Sequence, residues 1–392
     1  MIVLAGASLV LPDRIVERGS LVIKDGRIAA IEPRTIDRHG GADIVNLRDH
    51  VIVPGFIDAH VHGVEGIDVL DGPEAVAHVA SRLPKYGVTG FCPTSIACAP
   101  QPLGILLSAV TAARTTGHPR SARVLPAHLE SNFINPEWAG AQPAACLRIY
   151  KGGAHGTFTG DDIMRVIAGH RASVGIVTVA PELDRGIDLV RDLVKAGHRV
   201  SLGHSGATYE QARAAIDAGA SQATHLFNRM SSMTARAPGV VGAVLESDAV
   251  AAELICDGFH VHPSLMAMAI RLKTSRRMMA ITDATAGAGL APGTRTRLGD
   301  RDILVTDRCA MLEDGTVAGS VLSMDAAFRM LAATLKLPLT DAARMCATTP
   351  AERLGLADRG SIAEGQVADL VALTREHRVR QTYLAGVAAL EP

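Results

Sequence analysis

The stretch VIVPGFIDAHVHG, residues 51–63, decides how the chain is read. An apolar run closes on two histidines one residue apart, His60 and His62. On a β-strand, residues i and i+2 point to the same side, so both imidazoles can grip one cation at the strand's end. Pro54-Gly55 before the pair and Gly63 after it mark strand start and loop entry. Taken alone, an H-x-H pair fits a strand-end hydrogen-bond network as well as a metal site. The rest of the chain separates the two.

The chain has 392 residues, 48% of them hydrophobic and 20% charged, with a net charge of -1. That length supports one large α/β domain with a small companion. Balanced charge gives no electrostatic case for nucleic acid or an anionic membrane. Aromatics are scarce, at 3%, which argues against base-stacking surfaces. Cys92, Cys98, Cys146, Cys256, Cys309 and Cys346 are scattered, with no C-x-x-C pair, and read as reduced core fillers of a cytosolic protein. The apolar N-terminus lacks a basic flank and breaks at Pro12-Asp13-Arg14, so it reads as a strand rather than a signal peptide. No uncharged apolar run is long enough to span a bilayer.

Working outward from the histidine pair, the two chain ends look alike. LVIKDGRIAAIEP is strand, Asp25-Gly26 hairpin turn, strand. GSIAEGQVADLVAL and VRQTYLAG repeat the style, so both ends are expected to form one small β-sandwich, residues 1–50 plus 350–392. Between them, residues 51–349, apolar strands alternate with Ala-rich helical stretches. Strand candidates are 51–58, 88–92, 123–129, 174–179, 199–204, 221–225, 251–256 and 278–283. Helical stretches such as 73–86, 183–197, 206–219 and 263–273 lie between them. Continuous apolar strands alternating with helices imply a parallel sheet, and eight such units imply an α/β fold of the (β/α)8 TIM-barrel type. An open doubly wound sheet would place a Gly-rich phosphate loop after the first strand, and none is present.

The polar candidates fall at one kind of place. His60 and His62 end the first strand, His128 and Glu130 the third, His204 the fifth, His225 the sixth and Asp283 the eighth. In a barrel those C-terminal ends share one face, where active sites form. Imidazole and carboxylate without thiolate suit zinc, with iron or manganese as alternatives. Such an ion lowers the pKa of water towards about 7 and yields a nucleophile for an amide or ester carbonyl. A carboxylate must then move the water's proton, and Asp283 is the best placed. His128 reads as structural. His50, His78, His155, His170, His198 and His377 read as surface or loop residues. Trp138 reads equally as a wall of the site mouth or a packed loop indole.

At this point the chain resembles the amidohydrolase superfamily, and specifically the N-acetylglucosamine-6-phosphate deacetylase family. PGFIDAHVHG, GVTGFCPT, AHLES, SLGHS, THLFN, ARAPGVVGA, DGFHVHP, ITDATAGAG, DGTVAGS and ATTPAERLGL carry the resemblance nearly end to end. It implies a barrel bearing one or two divalent ions and a sandwich built from both chain ends. Glu130, His204 and His225 would hold the main metal. His60 and His62 would hold a second, with Glu130 bridging. Asp283 would be the catalytic aspartate, base towards water and then acid towards the leaving amine, and itself a metal ligand. Asn228, Arg236 and His260 match positions contacting a sugar phosphate, the arginine lent across a homodimer interface. No lysine ends strand 4, so no carbamylated bridging lysine is expected. Departures cluster near the sugar. HLEGPF of the family is His128-Leu129-Glu130-Ser131-Asn132-Phe133 here. A carbonyl-polarising histidine is replaced by Gln142, and Arg229 stands where a small residue is usual. The reading is a metal-dependent deacetylase of N-acetylglucosamine 6-phosphate. A related amidohydrolase for another N-acyl amino sugar or acidic N-acyl compound stands second, and a catalytically silent barrel used for binding third.

Overall fold

A computed structural model describes residues 1–38, 40–153 and 156–390. His155 lies outside the described residues. Eight parallel strand positions form a barrel: β1 (Phe56–Val61), β2 (Val88–Ser95), β3 (Arg123–Val124 and Ala127–Leu129), β4 (Val174–Val179), β5 (Arg199–Leu202), β6 (Gln222–Ala223), β7 (Ala251–Ile255) and β8 (Met278–Ile281). Each pairs in parallel with its neighbour from β1 to β8. Closure runs from β8 to β1, where Asp283 N donates to His60 O at 3.0 Å and Val61 bridges Ala284. β3 is in two pieces because Pro126 has no N–H for the ladder. Helices Ala75–Arg82, Gly186–Lys195, Tyr209–Asp217 and Pro263–Lys273 occupy the four stretches expected for them. Strand walls such as Ile176, Val177, Leu202, Leu254 and Ile281 are fully buried, as strands covered on both faces require.

A separate eight-stranded sheet combines both chain ends, including Ile2–Val10, Ile15–Lys24, Leu370–Leu373 and Val379–Leu384. The Asp25-Gly26 turn forms as expected, both residues at positive φ (50° and 75°).

Two features differ from the sequence reading. Val51–Pro54, expected to open the first barrel strand, instead pairs in parallel with Ile2–Val10 and antiparallel with Leu370–Leu373. The apolar run is two strands that part at Gly55, where a Cβ would lie 2.3 Å from Thr89 Oγ1. Only glycine lets the chain cross that closely from end sheet to barrel. The second feature was not anticipated. After β8, strands Arg295–Leu298, Arg301–Val305 and Ala310–Met311 form a small antiparallel sheet. Leu298, Ile303, Ala310, Leu312 and Ala318 pack it against Ile96, beside the barrel's C-terminal face.

The cysteines are free, and all but the half-buried Cys146 are buried. His198, read as a surface or loop residue, lies in the loop before β5 and is buried, its Nδ1 3.0 Å from Val174 O. No helix among the described residues is long and apolar enough to cross a membrane.

Candidate active site

The strand ends bring six side chains to one point. His60, His62, Glu130, His204, His225 and Asp283 are each at most 7% exposed. Glu130 Oε1 lies 2.7 Å from His204 Nε2 and 2.8 Å from His225 Nε2. Its Oε2 lies 3.5 Å from His62 Nε2. Asp283 Oδ1 lies 3.3 Å from His60 Nε2 and 3.2 Å from His62 Nε2. Three of these residues hold a left-handed backbone: His204 at φ 48°, His225 at 30° and Asp283 at 52°. Such conformations are costly for non-glycine residues and concentrate where surrounding structure fixes a functional geometry.

The donor set fits a cation. His60 and His62 Nε2 are 3.1 Å apart, and His204 and His225 Nε2 are 3.0 Å apart. Ligand atoms at about 2.0–2.2 Å from one ion lie roughly 3 Å from each other. On two of the rings the far nitrogen is bound to a main-chain carbonyl. His62 Nδ1 donates to Thr94 O at 3.0 Å, and His204 Nδ1 to Trp138 O at 2.9 Å. A carbonyl only accepts, so in the neutral ring each Nε2 presents its lone pair to the cluster. Trp138 thus serves through its main chain. Two overlapping donor groups, His60/His62/Glu130 and Glu130/His204/His225, share one carboxylate.

The cluster's electrostatics are those of a ligand set. Burial opposes charge on Glu130, but His204 and His225 hold its pKa well below the usual range. Against burial, hydrogen bonds to Asp283 and Glu130 raise His62 and His225 to about 9. Burial lowers His60 to about 4. Protons and a cation compete for these lone pairs, so cation affinity rises with pH.

Beneath the cluster the barrel interior is polar. His128, fully buried, places Nδ1 3.1 Å from Ala59 O and Nε2 2.8 Å from Thr178 Oγ1. Glu253 and Asp58 are buried carboxylates there, each pushed by desolvation to about 7. Sequence reasoning missed both: nothing within AAELIC signals an inward-facing partner for Glu253, whereas Asp58 shares the strand alternation of His60 and His62.

Above the cluster opens a cavity of about 300 Å³, within the range of small-molecule sites. Gln142, Asn228, Arg229, His260 and Asp283 line it, with Phe259, Leu298, Val317 and Gly319 as apolar walls. His260 Nε2 is buried without a partner while its Nδ1 is 2.5 Å from Asp257 Oδ2. Gln142 is pinned at both ends of its amide. Its Oε1 accepts from Ala97 N at 2.7 Å and its Nε2 donates to Glu130 Oε2. Arg236 does not reach this cavity; it is exposed on the segment before helix Gly239–Glu246.

Residues 51–389 match the amidohydrolase family. The chain belongs to that family. Among curated relatives it is 33% identical over 389 residues to the N-acetylglucosamine-6-phosphate deacetylase of Bacillus subtilis, covering 97% of this chain and 94% of that one. It is also 33% identical to the N-acetylgalactosamine-6-phosphate deacetylase of Escherichia coli O157:H7, covering 94% of each. A solved Mycobacterium smegmatis N-acetyl-D-glucosamine-6-phosphate deacetylase variant, in complex with N-acetyl-D-glucosamine-6-phosphate, superimposes with a TM-score of 0.88 at 30% identity, over 100% of this chain and 99% of that one. This amidohydrolase is therefore a hydrolytic enzyme of the deacetylase branch, with a His/Glu cluster suited to a divalent metal.

Proposed function

We propose that this amidohydrolase cleaves the N-acetyl amide of N-acetylglucosamine 6-phosphate, giving glucosamine 6-phosphate and acetate. The observation that carries the reading is the convergence of Asp283 and the five His/Glu donors at the floor of a cavity whose wall holds His260 and Arg229. Glu130, His204 and His225 would hold one ion, and His60 and His62 a second, with Glu130 shared and Asp283 alongside. Zinc suits these donors. A divalent cation there would polarise the amide carbonyl and acidify the attacking water.

The chain's own residues do the rest. Asp283 accepts the water's proton and returns it to the leaving nitrogen. His60 and His62 lower the Asp283 pKa against the effect of burial, which keeps it ionised as a base. Gln142 orients Glu130 and has a second amide proton for the acyl oxygen. Asn228, Arg229 and His260 receive the phosphate, as an arginine fork and an imidazole suit a dianion. Arg236, exposed here, would act on the site of a second copy in a homodimer. Free thiols favour a reducing cytosol. We place the domain division at Gly55, with both chain ends in one domain and the hydrolase barrel in the other.

The relative named N-acetylgalactosamine-6-phosphate deacetylase and the side chain at Arg229 support a second reading, a different N-acyl amino sugar or acidic N-acyl compound. Acetate release should be measured from N-acetylglucosamine 6-phosphate, its galacto epimer and unphosphorylated N-acetylglucosamine. The highest kcat/KM is expected for the first. A preference for the neutral sugar would sink the sugar-phosphate assignment, and a preference for the epimer would move the enzyme to the second reading.

A further inference from the structure

Glu253 lies in the middle of β7, with its side chain inside the barrel and 0% exposed. No lysine or arginine pairs with it among the described residues. Its Oε2 instead faces both halves of the ligand cluster, 3.0 Å from His60 Nδ1 and 3.3 Å from the backbone N of His225. These two residues need outside support more than their neighbours do. His62 and His204 are oriented by main-chain carbonyls. His60 has a carboxylate in that place, and His225 Nδ1 has no partner at all. His225 also sits at φ 30°, so its backbone N–H bond to Glu253 helps hold a strained residue. His128 closes the other side of His60, ring to ring at 4.6 Å.

We propose that Glu253 is a positioning residue that fixes the tautomer and direction of the His60 ring and the backbone of His225, and so sets cation affinity at both half-sites from one buried oxygen. An Nδ1–H donated to Glu253 leaves the His60 lone pair on Nε2, which points into the cluster 3.3 Å from Asp283 Oδ1. A carboxylate acceptor also makes the imidazole a better electron donor to a cation than a carbonyl does. A fully buried carboxylate is unfavourable for folding by itself, so its presence is accounted for by the ligand it holds. The inference rests on the assignment of His60 and His225 as cation ligands.

The test is Co²⁺ titration of the metal-free protein, read by absorbance and by bound ions per chain, with melting temperature recorded beside it. Glu253→Leu should bind at least one ion 10- to 100-fold more weakly, the usual range for losing such a partner. Its metal-free melting temperature should equal or exceed that of the unaltered protein. Glu253→Gln, whose amide oxygen still accepts from Nδ1–H, should recover part of the affinity. Unchanged affinity in both variants overturns the proposal, as does an affinity loss matched by a loss of metal-free stability. His60→Asn is the control. If it leaves the ion count unchanged, the ligand assignment itself is wrong; if it lowers the count while both Glu253 variants bind normally, only the role of Glu253 is wrong.

Discussion

Asp283 owes its position to a backbone that aspartate seldom adopts. At φ 52° it leaves β8 with its N–H on His60 O and its carboxylate against the His60 and His62 imidazoles. Asp283→Asn keeps the shape and removes the proton acceptor. Turnover should fall on the order of 100-fold or more, with KM and bound metal little changed. Steady-state kinetics with elemental analysis reads both. Near-normal turnover would move the proton to another group. Arg229 is the second informative side chain. Its guanidinium lies against Gly140 at the cavity wall, where a Cβ on residue 140 would come within 2.6 Å of Nε. Removing a charge-assisted bond to an anion costs on the order of 2 kcal/mol. Arg229→Ala should therefore raise KM for the phosphorylated sugar roughly tenfold or more and leave the neutral sugar unaffected. Equal effects on both substrates would show that Arg229 does not meet the phosphate.

At the scale of elements, the clustering of the His, Glu and Asp side chains was legible because each ends a strand, and strand ends share a face in a barrel. What holds them in place was not. Glu253 meets His60 across 193 residues, and nothing near AAELIC announces that contact. The Val51–Pro54 strand was hidden for another reason: a continuous apolar run carries no sign of where one sheet stops, beyond the Pro54-Gly55 pair itself. The small sheet after β8 left a readable trace, the Gly299-Asp300 turn between RTRL and RDILV, and it supplies Leu298 to the cavity. The segment that follows it returns to the site. Ser320 N donates to Asp283 O at 2.8 Å, and Gly319, at φ 77°, leaves 3.0 Å between that oxygen and a Cβ on residue 319. Gly319→Ala should thus displace Asp283, lowering kcat about tenfold with a smaller change in KM. Unaltered kcat would mean the segment yields without moving the aspartate. Helix Pro263–Lys273 makes a different prediction. Buried Lys273 donates from Nζ to Val244 O at 2.9 Å and to Ser247 O, at the C-terminal end of helix Gly239–Glu246. Burial depresses its pKa to about 8. Between pH 8 and the unfolded value near 10.5, the unfolded chain binds a proton that the native chain lacks, so this group favours folding more as pH rises. Lys273→Met should lose stability relative to the unaltered protein on going from pH 7.5 to pH 10, by on the order of 1–3 kcal/mol. Urea unfolding at the two pH values checks this, and a constant difference would contradict it.

For the whole molecule, the open question is whether one copy of the site is complete. The cavity has Arg229, His260 and Asn228 from its own chain, while Arg236 is exposed outside it. Two surface elements carry exposed apolar side chains. Leu265, Met268 and Leu272 are 42%, 52% and 61% exposed on helix Pro263–Lys273, and their spacing of three and four puts them on one face. Met233, 53% exposed, lies on the segment that carries Arg236, and its sulfur reaches Gly242 of the helix packed beside Pro263–Lys273. We propose that two copies associate through these exposed apolar side chains, and a net charge of -1 puts little repulsion between them. The protein should therefore sediment at twice its 41.0 kDa. Met268→Asp with Leu272→Asp should return it to one chain by placing charges in a dry interface. If Arg236 is lent across that interface, the monomeric variant and Arg236→Ala should show the same loss of preference for phosphorylated over neutral substrate, and combining them should add nothing further. A monomer that keeps full preference would assign the phosphate to Arg229 and His260 of its own chain alone.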